Sequence, residues 1–192
     1  MNGNSTAIAA QEQKEFLKTV GLFGTGITVI STMGETGPHG MTANAVTSLS
    51  LDPMLVVFCA ARKSAIAAFL KKGARFTINI LRHDQEAISN HFAGFRKDGQ
   101  IPSFRFVEWE CGPRIEGVLA AIGCEVYDTP DGGDHTIVIG RVLALHHGIQ
   151  PHKPLIYFAS RYRRLADEAG TPAPDRMDLG GEAQLFMDPW EG

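Results

Sequence analysis

The sequence has little of what marks several common classes of protein. Its 192 residues include only three cysteines and carry a formal net charge of −3. This slight negative charge gives no broad positive field to attract nucleic acid or anionic lipid, so we expect neither partner. Cys59, Cys111 and Cys124 lie far apart and form no C-x-x-C pair. We therefore expect reduced thiols in a cytoplasmic protein.

Long apolar runs are also missing. No segment reaches the roughly 18 apolar residues of a membrane span, and residues 1–16 lack the basic start and apolar run of a signal peptide. We expect no membrane segment and no export signal. The remaining composition, 44% hydrophobic and 20% charged, is typical of one globular domain. We place this domain at residues 1–170, followed by an acidic C-terminal tail at residues 171–192.

The hydrophobic pattern predicts a mainly β protein. Strands are expected at residues 27–33, 41–51, 54–60, 75–81, 119–127, 136–145 and 155–158. Helical spacing is confined to residues 9–20, 64–71 and 86–92, and we expect Phe16 and Leu17 of the first helix to pack. Runs of adjacent strands argue against a doubly wound nucleotide fold. We predict an antiparallel β-barrel with short helices on its outside.

Two weak signals are set aside. The glycines of residues 21–26 (GLFGTG) suggest a dinucleotide-binding loop, but Val29 stands where the third glycine is required and no strand precedes it. His146, His147 and His152 could attract a metal, yet carboxylates and cysteines at ligand spacing are missing nearby. We predict neither a Rossmann site nor a metal site.

The most informative stretch is GMTANAVTSLSLDPMLVV, residues 40–57. It places Thr42, Asn44, Thr47, Ser48 and Ser50 among small residues on or beside a strand. Small side chains let a flat ligand approach the backbone, and hydroxyl and amide groups orient it. The same composition also suits an ordinary edge strand, so the residues alone leave both interpretations open.

This stretch resembles the flavin reductase-like family of FMN-binding split barrels, the small reductase components of two-component monooxygenases. The residues that carry the resemblance are Gly40, Met41, Thr42, Asn44, Ser48, Leu49, Ser50, Asp52 and Pro53. The likeness continues through residues 62–64, 76–81, 91–94, 113–117 and 133–142, and it spans residues 16–164.

The resemblance implies a split β-barrel of antiparallel Greek-key type that binds FMN or FAD and passes it a hydride from NADH or NADPH. It implies a homodimer that supplies reduced flavin to a partner monooxygenase. The residues implied to bind the cofactor are Met41, Thr42, Ala43, Asn44, Ser48, Ser50, Leu51, Cys59, Ala60, Ala61, Lys63, Ser64, His91 and Phe92. Ser64 also opens a predicted helix, whose N-terminus suits either an anion or a plain N-cap.

A DGGDH turn at residues 131–135 is a hairpin signal, because Gly and Asp tolerate positive φ. The resemblance adds a nicotinamide site formed by Gly133, Asp134, His135 and Tyr162, with His135 as the catalytic residue. The arginines that flank Tyr162 could bind phosphate, or could only close the barrel or form salt bridges with the acidic tail.

Two other functions stay open. One is a reductase that keeps its flavin tightly bound and reduces another acceptor, such as a corrinoid or a metal chelate. The other is a non-enzymatic flavin- or haem-binding barrel. The sequence does not distinguish FMN from FAD, or NADH from NADPH.

Overall fold

The computed structural model describes residues 3–95, 99, 101–149 and 153–166, with side chains from residue 10 onward. Two α-helices are present in this part of the chain, α1 (Gly3–Val20) and α2 (Glu86–Phe92), together with a 3₁₀ helix at Ala65–Phe69. Neither α-helix is long and apolar enough to cross a membrane. The predicted tail at residues 171–192 and His152 lie outside the described residues.

Antiparallel strands make up most of the fold. They are β1 (Thr25–Gly26), β2 (Thr28–Gly34), β3 (Gly37–Ala43), β4 (Val46–Leu51), β5 (Met54–Ala61), β6 (Arg75–Ile80), β7 (Phe106–Val107), β8 (Arg114–Ile115), β9 (Ala120–Asp128), β10 (Asp131–Gly132), β11 (His135–His147), β12 (Ile156–Phe158) and β13 (Arg161–Arg163). The main sheet has the order β3-β2-β6-β9-β11-β5-β4, with β10 paired to β11.

The main sheet curls because its two edges are joined by a very short connection. The edge strands β3 and β4 are separated only by Asn44 and Ala45. Three Cα steps span at most about 11 Å, so the two edges must lie close together. Two small sheets, β1-β12-β13 and β7-β8, lie outside this path. The predicted antiparallel barrel with few helices is confirmed.

The core consists of two clusters. One lies inside the curled sheet and includes Ile30, Phe58 and Phe76; the other includes Leu81 and Leu155. Strand β5 alternates strictly, with Val56, Phe58 and Ala60 buried and the residues between them half-buried. This alternation, with a period of two, turns every second residue at the end of β5 away from the first cluster.

Three local predictions differ from the structure. The strand expected at residues 41–51 is two strands, because the chain crosses from one sheet edge to the other at Asn44 and Ala45. The helix expected at residues 64–71 is only the 3₁₀ helix Ala65–Phe69, a length at which helical propensity alone gives little stability. Phe16 and Leu17 of α1 are 66% and 64% exposed, so they do not pack on their own chain.

Candidate functional site

Three chain segments from the predicted site meet at one end of the barrel. In the pairing of β5 with β11, His135 lies opposite Ala61 and Ile137 opposite Cys59. Ser64, just after β5, donates a long hydrogen bond from Oγ to the Sδ atom of Met41, 4.0 Å away. The structure therefore brings together the predicted ring-binding strand β3, the predicted phosphate segment and the His135 turn.

The polar groups of β3 hold the strand in place. The Thr42 hydroxyl donates to the Ser89 carbonyl of α2 at 2.6 Å, and Asn44 Nδ2 donates to Thr25 Oγ1 at 3.2 Å. The side chain of Ala43 is buried in the core, and its carbonyl accepts from Thr28 Oγ1 at 2.8 Å. Ala43 can therefore meet a ligand only through its backbone, whereas Asn44 is exposed.

Strand β4 carries the predicted site residues that lie farther from the His135 turn. Ser48 pairs with Val56, and Leu51 pairs with Met54, seven positions before Ala61. At about 3.3 Å per residue this distance along β5 is about 23 Å. Within one chain, Leu51 and Ser50 are thus not brought to the His135 turn, whereas Cys59, Ala60, Ala61, Lys63 and Ser64 are.

The His135 turn is an exposed hairpin between β10 and β11. Gly133 has a φ of +78°, a conformation that favours glycine. The Asp134 carboxylate and His135 Nδ1 are hydrogen-bonded at 2.7 Å. This bond, with help from the nearby Lys63 charge, lowers the pKa of Asp134. The carboxylate stays ionised at neutral pH, so Nδ1 carries the proton and Nε2 remains for a ligand.

Arg62 is a site residue that the sequence-based assignment left without a role. Its guanidinium contacts the His135 turn at Asp131 and at the Gly133 carbonyl. The Arg62-Lys63 pair beside a predicted phosphate site was the available signal, but nothing in the sequence shows which segment the arginine meets.

His91 and Phe92 belong to an aromatic cluster. The Phe92 ring lies 5.2 Å from Phe104 and 5.9 Å from Phe106, measured between ring centroids, and the His91 ring lies 4.9 Å from Phe92. A Cβ at Gly40 would come within 2.7 Å of the Phe92 ring. The glycine that precedes Met41 therefore lets α2 pack directly on β3.

Tyr162 connects the β12-β13 hairpin with helix α2. Its hydroxyl donates to Asn90 Oδ1 at 3.0 Å and lies 2.9 Å from Ser89 Oγ. Burial is the main reason why the pKa of Tyr162 is raised. Since Thr42 bonds the carbonyl of the same Ser89, the tyrosine is linked to β3 through α2.

Two cavities border the aromatic cluster, one at Phe104 and one at Phe106, and neither is lined by a predicted site residue. One, of about 490 Å³, is bordered by the ion pairs Arg82–Asp84 and Arg105–Glu116. The other, of about 430 Å³, lies beside Trp109. Across the part of the chain that the structure describes, no group of three or more His, Cys, Asp and Glu side chains could hold a metal ion.

The fold and the site place the chain in one class of protein. It is an antiparallel barrel whose candidate site lies where strands β3, β5 and β11 come together. A family model described as "Flavin reductase like domain" matches residues 20–166. The chain belongs to this flavin reductase-like family. The predicted family and the predicted enzyme class, a flavin reductase, are thereby confirmed.

Individual relatives are similar over most of their length. The reductase subunit HsaB of a flavin-dependent monooxygenase from Mycobacterium tuberculosis is 36% identical over 188 residues, covering 93% of this chain and 97% of the relative. An NADH-dependent flavin reductase from Rhodococcus sp. is 37% identical, covering 77% and 84%. The crystal structure of nitrilotriacetate monooxygenase component B from Mycobacterium thermoresistibile superposes with a TM-score of 0.77 at 36% identity, covering 89% and 96%.

Proposed function

We propose that this chain transfers a hydride from NADH or NADPH to FMN or FAD, and that it supplies the reduced flavin to a monooxygenase component. Similar relatives are named as NADH-dependent flavin reductases and as monooxygenase reductase subunits. The observation that carries the proposal is the meeting of β3, the Lys63-Ser64 segment and the His135 turn at one end of the barrel.

The residues present fit a flavin. Cys59 and Ala61 have small, half-buried side chains, so a flat ring can approach the backbone at the end of β5, whereas the side chain of Ala60 is buried in the core. Lys63 is exposed beside Ser64, where it can pair with a phosphate. When bound, flavin and nicotinamide supply the redox chemistry themselves, and the protein has to bind and align them. His135 would orient the nicotinamide through Nε2.

The decisive experiment follows the oxidation of NADH and NADPH with FMN, FAD and riboflavin in turn. We expect oxidation that depends on added flavin. Flavin that stays bound through gel filtration would instead favour a reductase with a resident cofactor and another acceptor. A chain that binds flavin but oxidises neither dinucleotide would contradict the proposal and favour a carrier.

Lys63→Ala is expected to weaken the binding of FMN by roughly fivefold and to leave riboflavin unaffected. An exposed charge pair contributes about 1 kcal/mol, which corresponds to this factor, and riboflavin has no phosphate. Quenching of flavin fluorescence measures both dissociation constants. Lys72→Ala, another exposed lysine, is the control. Equal weakening of FMN and riboflavin would show that Lys63 does not bind the phosphate.

The chain acts as a homodimer in the cytoplasm. Exposed apolar side chains support a dimer: Leu143 and Leu145 of β11 are 45% and 60% exposed, and Leu51 of β4 is 76% exposed. Leu143 and Leu145 are two positions apart on one strand and share a face, and an exposed apolar face supports an interface. The free cysteines support the cytoplasmic location. The molar mass in solution tests the dimer, and we expect the mass of two chains.

A further inference from the structure

The His135 turn has little packing to hold it. Strand β10 is only two residues long, and the side chains of Asp131 and Asp134 are 79% and 93% exposed. A short exposed hairpin of this kind opens easily unless other contacts restrain it. The backbone of His135 is held by its pairing with Ala61, so a restraint from outside the turn acts on residues 131–134 that precede it.

Arg62 supplies such a restraint through two side-chain hydrogen bonds, beside one backbone hydrogen bond that any residue except proline at this position would make. Its Nε donates to the Gly133 carbonyl at 2.7 Å, and its Nη2 donates to Asp131 Oδ2 at 2.5 Å. Its backbone N–H donates to the Asp134 carbonyl at 3.1 Å. The planar guanidinium offers several donors in a fixed arrangement, which a lysine cannot reproduce.

Asp131 completes the arrangement from the other side. Its Oδ1 accepts the Gly133 N–H at 2.8 Å, while its Oδ2 accepts from Arg62. The backbone of Gly133 is thus held at its carbonyl by the arginine and at its N–H by the carboxylate. We define Arg62, Asp131 and the backbone of Gly133 as the turn clamp.

The clamp links two parts of the proposed site. Arg62 follows Ala61, which lies opposite His135, and it precedes Lys63 and Ser64. We propose that Arg62 is a positioning residue, which holds the His135 turn in the orientation that receives the nicotinamide and does not itself contact either substrate. This inference rests on the proposed function of the site.

A direct contact between Arg62 and the flavin phosphate is the competing role. The two roles differ in what they predict for Asp131, which accepts from Arg62 and bears a negative charge. A phosphate ligand acts without Asp131, whereas the clamp needs both residues. Removal of either one should then have nearly the same effect as removal of both.

The test compares Arg62→Met, Arg62→Lys, Asp131→Asn and the Met/Asn double variant. We expect Arg62→Met to lower kcat/KM for NADH on the order of tenfold, as for the loss of an orienting contact, with Kd for FMN changed by less than about twofold. Asp131→Asn should give a similar loss, and the double variant little more. Arg62→Lys should retain only part of the wild-type kcat/KM, because lysine lacks the planar guanidinium with its several donors. Arg105→Met, which breaks another exposed arginine pair, should leave turnover unchanged.

Three results would overturn the proposal: unchanged kinetics in Arg62→Met, additive losses in the double variant, or weaker FMN binding with riboflavin unaffected. A readout independent of activity is hydrogen exchange at the Gly133 amide, which we expect to be faster in Arg62→Met. If the wild-type chain oxidises neither dinucleotide with any flavin, the proposed function fails. The clamp is then judged by this exchange alone, and unchanged exchange would refute it.

Discussion

His135→Ala is expected to lower kcat/KM for NADH by roughly 10- to 100-fold and to leave the FMN dissociation constant within about twofold of the wild type. The side chain is 43% exposed at the start of β11, opposite Ala61. With Nδ1 held by Asp134, the ring is fixed in one orientation and Nε2 is the nitrogen that can bond a dinucleotide. Steady-state kinetics and fluorescence titration measure the two quantities separately.

Two further variants show whether the effect belongs to Nε2. His135→Gln places an amide at a similar reach, so it should recover part of the activity. His147→Ala removes an exposed histidine at the other end of the same strand and should have no effect. If His135→Ala abolishes flavin binding instead, the turn serves the flavin and our assignment of the nicotinamide to it is wrong.

The fold was predictable wherever short-range pattern determines structure. Alternation placed a strand at residues 75–81, and the structure has β6 at Arg75–Ile80. Residues 64–71 have helical spacing, but only Ala65–Phe69 is helical, and Ser64 makes no side-chain capping hydrogen bond. Local composition also could not show that Asn44 and Ala45 carry the chain from one sheet edge to the other, because that depends on which strands pair.

The sequence proposes residues for the candidate site but does not show the contacts between them. The resemblance identified Met41, Ser64 and His135, and the structure places them at one end of the barrel. The role of Arg62 was not predictable, because its partner Asp131 lies 69 positions away in sequence. Equally, spacing gives no sign that Tyr162 bonds α2. Such contacts depend on register between distant strands, which periodicity does not encode.

Gly40→Ala is expected to destabilise the fold by about 1–3 kcal/mol, the usual cost of overpacking. The added Cβ would lie 2.7 Å and 2.8 Å from two atoms of the Phe92 ring and 3.4 Å from the Ile30 carbonyl. Phe104 and Phe106 pack against Phe92 and keep its ring from moving away from the new Cβ, so β3 has to shift. Because β3 carries Met41 and Thr42, we also expect weaker FMN binding. Urea denaturation and flavin titration measure the two effects.

The cause of the destabilisation can be isolated with a second substitution. Phe92→Leu removes the ring that the new Cβ would meet, so Gly40→Ala should cost less stability in that background than in the wild type. Gly24→Ala adds a Cβ with nothing within 4 Å and serves as the matched control. An equal cost of Gly40→Ala in both backgrounds would contradict the packing argument. If FMN affinity falls in Gly40→Ala and not in Gly24→Ala, the position of β3 against α2 determines flavin binding as well as stability.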